Sequence, residues 1–221
     1  MHARDVVLTL RSVIRVLGDS TRTADIHTVE EVTGRAIYAR LATAYRQTSE
    51  GRALLDARPE LRADQVDFDA LRRLPAGTLG AAYVGHLDRN GITADLQALP
   101  TTHIDDPDVA YLMRRFRQTH DVWHALIGLD IAPHEEVIIH AFSWGQLRLP
   151  VSALVVFFGT IKHVVLERRW SVLRRGLREA YDLGRNAAPL LPVHWEAHWE
   201  ESLEGVRRRY GLRALSPELI Q

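Results

Sequence analysis

His120-Asp121-Val122-Trp123-His124, followed by Gly128, Pro133 and the acidic pair Glu135-Glu136, is the stretch whose reading decides the rest of the chain. On a helix of 3.6 residues per turn, His120 and His124 lie about 40° apart and Asp121 flanks them within an arc of roughly 100°. Gly128 and Pro133 punctuate the pattern, so Glu136 is expected to open a second helix that bends back toward the first. Two imidazoles and one or two carboxylates then converge between consecutive helices.

That combination points to a divalent metal. Imidazole and carboxylate ligands suit zinc, iron(II) or manganese, and two histidines plus one carboxylate leave positions open for water, oxygen or substrate. The bland alternative is two histidines and an acid at the edge of a core helix, since helical spacing also makes such pairs by chance. Glu135 competes with Glu136 for the ligand role. His134 is close in sequence, and His140, one turn beyond Glu136 on the same face, is a candidate fourth ligand or acid–base group. Arg114, Arg115 and Arg117 lie in the turns before the site, placed either to bind a substrate carboxylate or phosphate or to form a solvated basic face.

Two other metal patterns compete. His194-Trp195-Glu196-Ala197-His198 has the histidine spacing of a zincin but carries Glu at the third position instead of the second, so aromatic packing is the better account. An HD-type phosphohydrolase also places His-Asp on a helix. It needs a further His and Asp, for which His86 or His103 and Asp182 are available without any local mark.

Working outward, the spacing predicts helices nearly throughout. Val6 to Leu17 forms an amphipathic opener before Gly18. Thr28 is expected to cap a second helix, with Glu31 three residues on, running through Tyr45. Short helices follow over Arg52–Ala57 and Asp67–Leu74. Thr78 caps a helix that closes at Asn90-Gly91, and Ile92 to His103 is expected to be loop. Asp106-Pro107 starts the long helix that delivers His120 and His124. Beyond Glu136 an apolar stripe continues to about Gln146, and Pro150 begins an apolar helix over Val151–Leu166. Trp170 to Ala188 is the next helix, and His194 to Tyr210 reads as the last, with Trp195, Trp199, Leu203 and Val206 on one face. With no strand alternation, no Gly-rich phosphate loop and no repeat, the fold expected is all-α: a single multi-helix domain over residues 1–221.

Composition narrows the function classes. The chain has 221 residues, 46% of them hydrophobic, enough to bury a substantial core. Lys plus Arg and Asp plus Glu number 28 each, which argues against a nucleic-acid partner. Cysteine is absent, so disulfides, iron–sulfur clusters and thiol nucleophiles are excluded, and any metal relies on His, Asp or Glu. No signal peptide is evident at the start. The run Val151 to Leu166 contains Lys162 and His163 and falls short of the ~20 residues a spanning helix needs, so it suits a buried or membrane-lying helix.

At this point a resemblance enters. His120-Asp121-x-x-His124, then eleven residues, then Glu136, is similar to the metal-binding signature of the coenzyme Q (ubiquinone) biosynthesis protein four (Coq-four) family. Leu74-Pro75-x-Gly77-Thr78-x-Gly80-x-x-Tyr83, Tyr111-Leu112-Met113-x-Arg115-Phe116-Arg117 and Gly128 also resemble family positions. So do Gln146, Leu149-Pro150, Pro189-Leu190-Leu191 and Trp195-Glu196-x-x-Trp199. The likeness runs from Ser49 to Leu212, leaving the first helix, residues 1–20, without an assigned counterpart.

The resemblance implies an all-α, membrane-associated homodimer with a divalent metal, zinc or iron(II), on His120, Asp121, His124 and Glu136. It also implies a pocket for a polyprenyl tail, lined in part by the apolar helix. The activity implied is replacement of the carboxyl at ring carbon one of a prenylated 4-hydroxybenzoate by hydroxyl; for such chemistry the residues themselves offer Arg115 or Arg117 to hold the carboxylate and His140 as the candidate acid–base group. Alternatives are a non-catalytic organiser of the ubiquinone-biosynthesis enzymes and a specialised-metabolism relative acting on another substrate. Location is expected at the cytoplasmic, inner face of a membrane. The chain departs from the family pattern at Glu135 (Gly expected), His140 (Lys expected), Ser143 (an acid expected) and His194 (Tyr expected).

Overall fold

Burial along one helix sets the architecture. In the computed structural model, which describes residues 23–93, 101, 104–167 and 170–216, the segment Pro107–Ile127 is helical and buried almost all round. In chain order the helices are α1 (Thr23–Tyr45), α2 (Ser49–Ala57), α3 (Phe68–Arg72), α4 (Leu79–Asn90), α5 (Pro107–Ile127), α6 (Pro133–Leu147), α7 (Pro150–Glu167), α8 (Trp170–Asn186) and α9 (Leu203–Tyr210). A single 3₁₀ turn occupies Trp195–Ala197. No strand occurs among the described residues, where Thr78 and Ser202 make an isolated antiparallel bridge. The all-helical reading holds. The opening helix expected before residue 20, His103 and most of the loop over 92–103 lie outside the described residues.

The helix ends follow the local chemistry of the sequence. Thr48, Asp67, Thr78 and Ser202 each accept a hydrogen bond from a free backbone N–H in the first turn of α2, α3, α4 and α9. Asp106 caps α5 through the N–H groups of Asp108 and Val109, with Pro107 at the first helical position. Gly91 and Gly128 close α4 and α5 in the left-handed conformation, with φ of 61° and 74°.

Three boundaries differ from expectation. α1 begins at Thr23, ahead of the cap expected at Thr28, and Glu31 meets Arg117 instead of completing a capping box. α6 begins at Pro133, so Glu136 stands inside its first turn. The single helix expected over His194–Tyr210 is broken into the 3₁₀ turn and α9. There the backbone serves α4: Gly80 N–H donates to Trp199 O, Leu79 N–H to Glu201 O, and Leu203 N–H to Gly77 O. Carbonyls and amides used across chains of contact are lost to a local helix.

One hydrophobic core links the elements, running from Val29 and Tyr38 on α1 through Trp123 on α5 and Phe142 on α6 to Val206 on α9. α6 packs most extensively on α8, where Gly145 lies against the backbone of Tyr181 to Arg185 and Gly184 against that of Phe142. A β-carbon at either glycine would collide with the opposing main chain. The end of α5 is tied to the C-terminal segment by Arg207 Nε, which donates to Leu126 O at 2.7 Å, and by Leu215 N–H, which donates to Ile127 O.

Candidate metal centre

A helix buried on all sides must find partners for every polar group it carries. α5 solves this differently on two faces. Arg115 donates twice to Glu196, at 2.6 and 2.8 Å, and also to Val193 O and Pro59 O. Arg117 donates to Glu30 at 2.8 Å and Glu31 at 3.1 Å, and Tyr38 donates to the other oxygen of Glu30. Burial holds the Glu30 carboxyl above the usual carboxylate range in spite of Arg117. Both guanidinium groups are thus engaged by the protein itself and join α5 to α1 and to the segment around Trp195.

On the other face the ionisable groups meet one another. His120 and His124 on α5 and Glu136 on α6 each offer one donor atom, all within 4.8 Å. His120 Nε2 and His124 Nε2 are 3.2 Å apart. Glu136 Oε2 is 3.7 Å from His120 Nε2, and Oε1 is 3.5 Å from His124 Nε2. Donors bound to one ion at ~2.0–2.1 Å in tetrahedral geometry would be about 3.3 Å from each other. The two imidazole nitrogens stand close to that spacing, and Glu136 meets each of them with a different oxygen at slightly longer range, so the group could hold a small divalent cation such as zinc or iron(II).

Protonation agrees with this reading. Burial, helped by the neighbouring His120, pushes His124 down to about 3, so its ring is neutral and offers a lone pair. Burial opposes ionisation of Glu136, yet the neighbouring His120, helped by His124 and His140, brings it to about 2. Burial likewise opposes the charged form of His120, but Glu136 outweighs it and raises the pKa. The carboxylate thus favours positive charge beside it.

The neighbours fall into clear places. Glu135 is buried and turns back so that its Oε2 accepts from Ala132 N–H at 3.1 Å, closing the start of α6 and leaving Glu136 as the converging acid. His140 sits one turn further along, its ring 5.4 Å from that of His120 and its Nδ1 3.4 Å from Ser152 Oγ; burial, helped by His120, brings it to about 4. Ser143 donates to Ile139 O within α6. Asp121 lies outside the three-donor group, with Oδ1 4.0 Å from His86 Nε2. Arg115 and Arg117 are not brought to it either. His194 and His198 pair with different carboxylates, Glu196 and Glu201, and Asp182 pairs with Arg178 on α8.

His86 is the group that spacing left unmarked. It is fully buried on α4, and its ring stacks on His124 with centroids 5.0 Å apart and planes 22° from parallel. The signal was available: His86 falls seven residues after Leu79, in the apolar stripe that carries Tyr83 and Leu87. A histidine at such a position needs a reason to be buried.

An all-helical domain that presents His-x3-His from one helix and Glu from the next belongs to the class of helical proteins with a mixed imidazole and carboxylate donor set between helices. Comparison with known proteins narrows the class. Residues 1–216 match the family described as coenzyme Q (ubiquinone) biosynthesis protein Coq4, and the chain belongs to that family. The match includes residues 1–20, for which sequence alone assigned no counterpart.

The chain is 34% identical over 163 residues to the mitochondrial ubiquinone biosynthesis protein COQ4 of Coprinopsis cinerea, covering 74% of this chain and 55% of that protein. It is 32% identical to the mitochondrial COQ4 homolog of Xenopus laevis, covering 97% of this chain and 74% of the relative. A crystal structure of a Nostoc punctiforme protein ascribed to ubiquinone biosynthesis superposes with a TM-score of 0.76 at 22% identity, covering 97% of this chain and all of that one. Among the described residues no helix is long and apolar enough to cross a membrane.

Proposed function

We propose that this chain acts in ubiquinone biosynthesis on a polyprenylated 4-hydroxybenzoate, exchanging the carboxyl at ring carbon one for hydroxyl. The observation that carries the reading is the convergence of His120, His124 and Glu136 at 3.2 to 3.7 Å. Such a set would hold one divalent ion and leave coordination positions free. A bound iron(II) supplies oxygen chemistry, and zinc a Lewis acid. In the reaction the bond from ring carbon one to the carboxyl breaks and carbon dioxide leaves. A carbon–oxygen bond forms with one atom of dioxygen, and the other leaves as water with two protons and two electrons from an external reductant.

The protein's own residues orient and exclude water. Phe116 stands edge-on to the His120 ring on one side, and the partly exposed side chain of Glu136 marks the side open to substrate. His140, beside His120, is assigned to hydrogen-bonding and proton transfer at the ring. Asp121 is placed as an outer support of the ligand helix. Because their guanidinium groups are held by Glu196, Glu30 and Glu31, Arg115 and Arg117 are assigned to positioning α5 instead of gripping the carboxylate.

Metal analysis of purified protein tests the reading. Wild type is expected to hold close to one equivalent of iron or zinc, with His124→Ala and Glu136→Ala holding almost none while remaining folded. Unchanged metal content in both variants would sink the site.

A second reading has an observation of its own. Phe157, Ile161 and Trp170 are exposed on or beside α7, at 59%, 46% and 47%, a surface suited to prenyl lipid, a bilayer face or a second copy of the chain. A non-catalytic lipid-binding organiser would use it. Pure protein incubated with a prenylated hydroxybenzoate, dioxygen and reductant separates the two: turnover favours the enzyme, and tight binding without product favours the organiser.

A further inference from the structure

The row of imidazoles extends behind the donor group. His140, His120, His124 and His86 follow one another with ring centroids 5.4, 4.8 and 5.0 Å apart, carried by α6, α5, α5 and α4 in turn. His86 is the member furthest from Glu136, and its surroundings are polar at both nitrogens. Nε2 faces Asp121 Oδ1 at 4.0 Å and makes no hydrogen bond among the described residues. Nδ1 lies 3.4 Å from the Asn90 amide nitrogen and 3.6 Å from Asp130 Oδ1. The Asn90 amide donates to His86 O at 2.9 Å and to Asp130 Oδ1 at 3.1 Å, and Arg89 reaches the same carboxylate at 3.3 Å.

Asp121 belongs to α5, and Asp130 to the short connection between α5 and α6. One side chain of α4 therefore touches the ligand helix and the turn that leads to the second ligand helix. Its flat face also lies on the ring of His124. Metal-bound histidines ordinarily have their ring orientation fixed by a hydrogen bond from the second nitrogen. For His124 the Leu129 backbone gives only a minor hydrogen-bonding contribution, and the stacked His86 ring lies over the face of the imidazole.

We propose that His86 is the positioning residue of this centre: it sets the ring plane of His124 by stacking, faces Asp121 with Nε2–H and is tied to Asp130 through the Asn90 amide at Nδ1, thereby setting the spacing of α5 and α6 donors. The inference rests on the reading of His120, His124 and Glu136 as metal donors. It predicts that losing the nitrogens while keeping the ring changes the metal and not merely the fold.

The test uses the full chain titrated with cobalt(II), whose visible bands report coordination geometry. His86→Phe retains a ring on His124 and removes both nitrogens. It is expected to weaken cobalt binding by about 10- to 100-fold, the range for loss of an outer support, and to alter the visible bands. Asp130→Asn, on the surface, is expected to change both in the same direction by less. In the His86→Phe background Asp130→Asn is expected to add nothing, since both act through one side chain.

Unchanged affinity and bands in His86→Phe overturn the proposal, as do additive effects in the double variant. Should His86→Phe fail to fold, Asp130→Asn decides alone, and bands identical to wild type reject the role. Absence of cobalt binding by wild type overturns the metal reading and this inference together. Normal wild-type binding with indifferent variants overturns this inference only.

Discussion

The two sides of α5 carry ionisable groups of similar density and do opposite things with them. Around Arg115 and Arg117 every charge meets an opposite charge from another element: Glu196 on one, Glu30 and Glu31 on the other. Around His120 and His124 the facing groups are all electron-pair donors, and Glu136 alone supplies charge. The first arrangement is complete without any ligand. The second draws in a proton or a cation. Whether a buried polar cluster is scaffold or site is thus read from its donor and acceptor balance more than from its residue types.

Removing Arg115 tests the scaffold side most severely. Arg115→Ala leaves Glu196 with no partner for its bidentate bond, and removing one member of a buried pair costs about 3–5 kcal/mol. The denaturant midpoint should fall accordingly, and stability close to wild type with loss of metal would reverse the roles assigned to the two faces. A smaller effect is expected from Gly184→Ala. The new methyl meets the Phe142 main chain, and overpacking of this kind costs about 1–3 kcal/mol. Because α6 also carries Glu136, metal affinity should drop along with the melting temperature. A drop in only one of them would show that the seam and the site are independent.

The smallest effect concerns acid. Burial, helped by Arg117, brings His27 on α1 down to about 4 from an ordinary 6.5. The unfolded chain therefore binds this proton first, so the contribution to stability is whole above about pH 6.5 and is lost as pH falls toward 4. His27→Asn should flatten the stability profile in that window, and a loss of unfolding free energy between pH 6.5 and 4.5 equal to that of wild type, measured by urea titration, would exclude His27 as a contributor.

Local chemistry made most of the helices legible. Thr78 before an apolar stripe, Asp106-Pro107 and Gly128 each act within a few residues of themselves, and each does in the structure what its side chain dictates. The His120, His124 and Glu136 convergence was legible for the same reason, since two helices and a short turn leave few alternatives. What escaped depended on partners far away in sequence. Arg115 and Arg117 sit one to two turns before His120, yet their partners lie 81 and 86–87 residues off. The His194–Tyr210 segment has helical spacing, but Leu79 and Gly80 claim its carbonyls. His86 was hidden because it is a polar residue in an apolar stripe, and only the packing of α4 on α5 brings it to His124.

On the proposed metal reading, the glycine seam between α6 and α8 bears on which ion the centre would admit. Gly145 and Gly184 lock α6 against a neighbouring main chain, so the helix bearing Glu136 has little freedom to slide outward. Calcium takes six to eight oxygen donors at about 2.3–2.6 Å and asks its host to open. On that reading, a frame gauged by backbone contact would favour ions small enough to be reached by three donors already close together, discriminating by radius before ligand preference has any part.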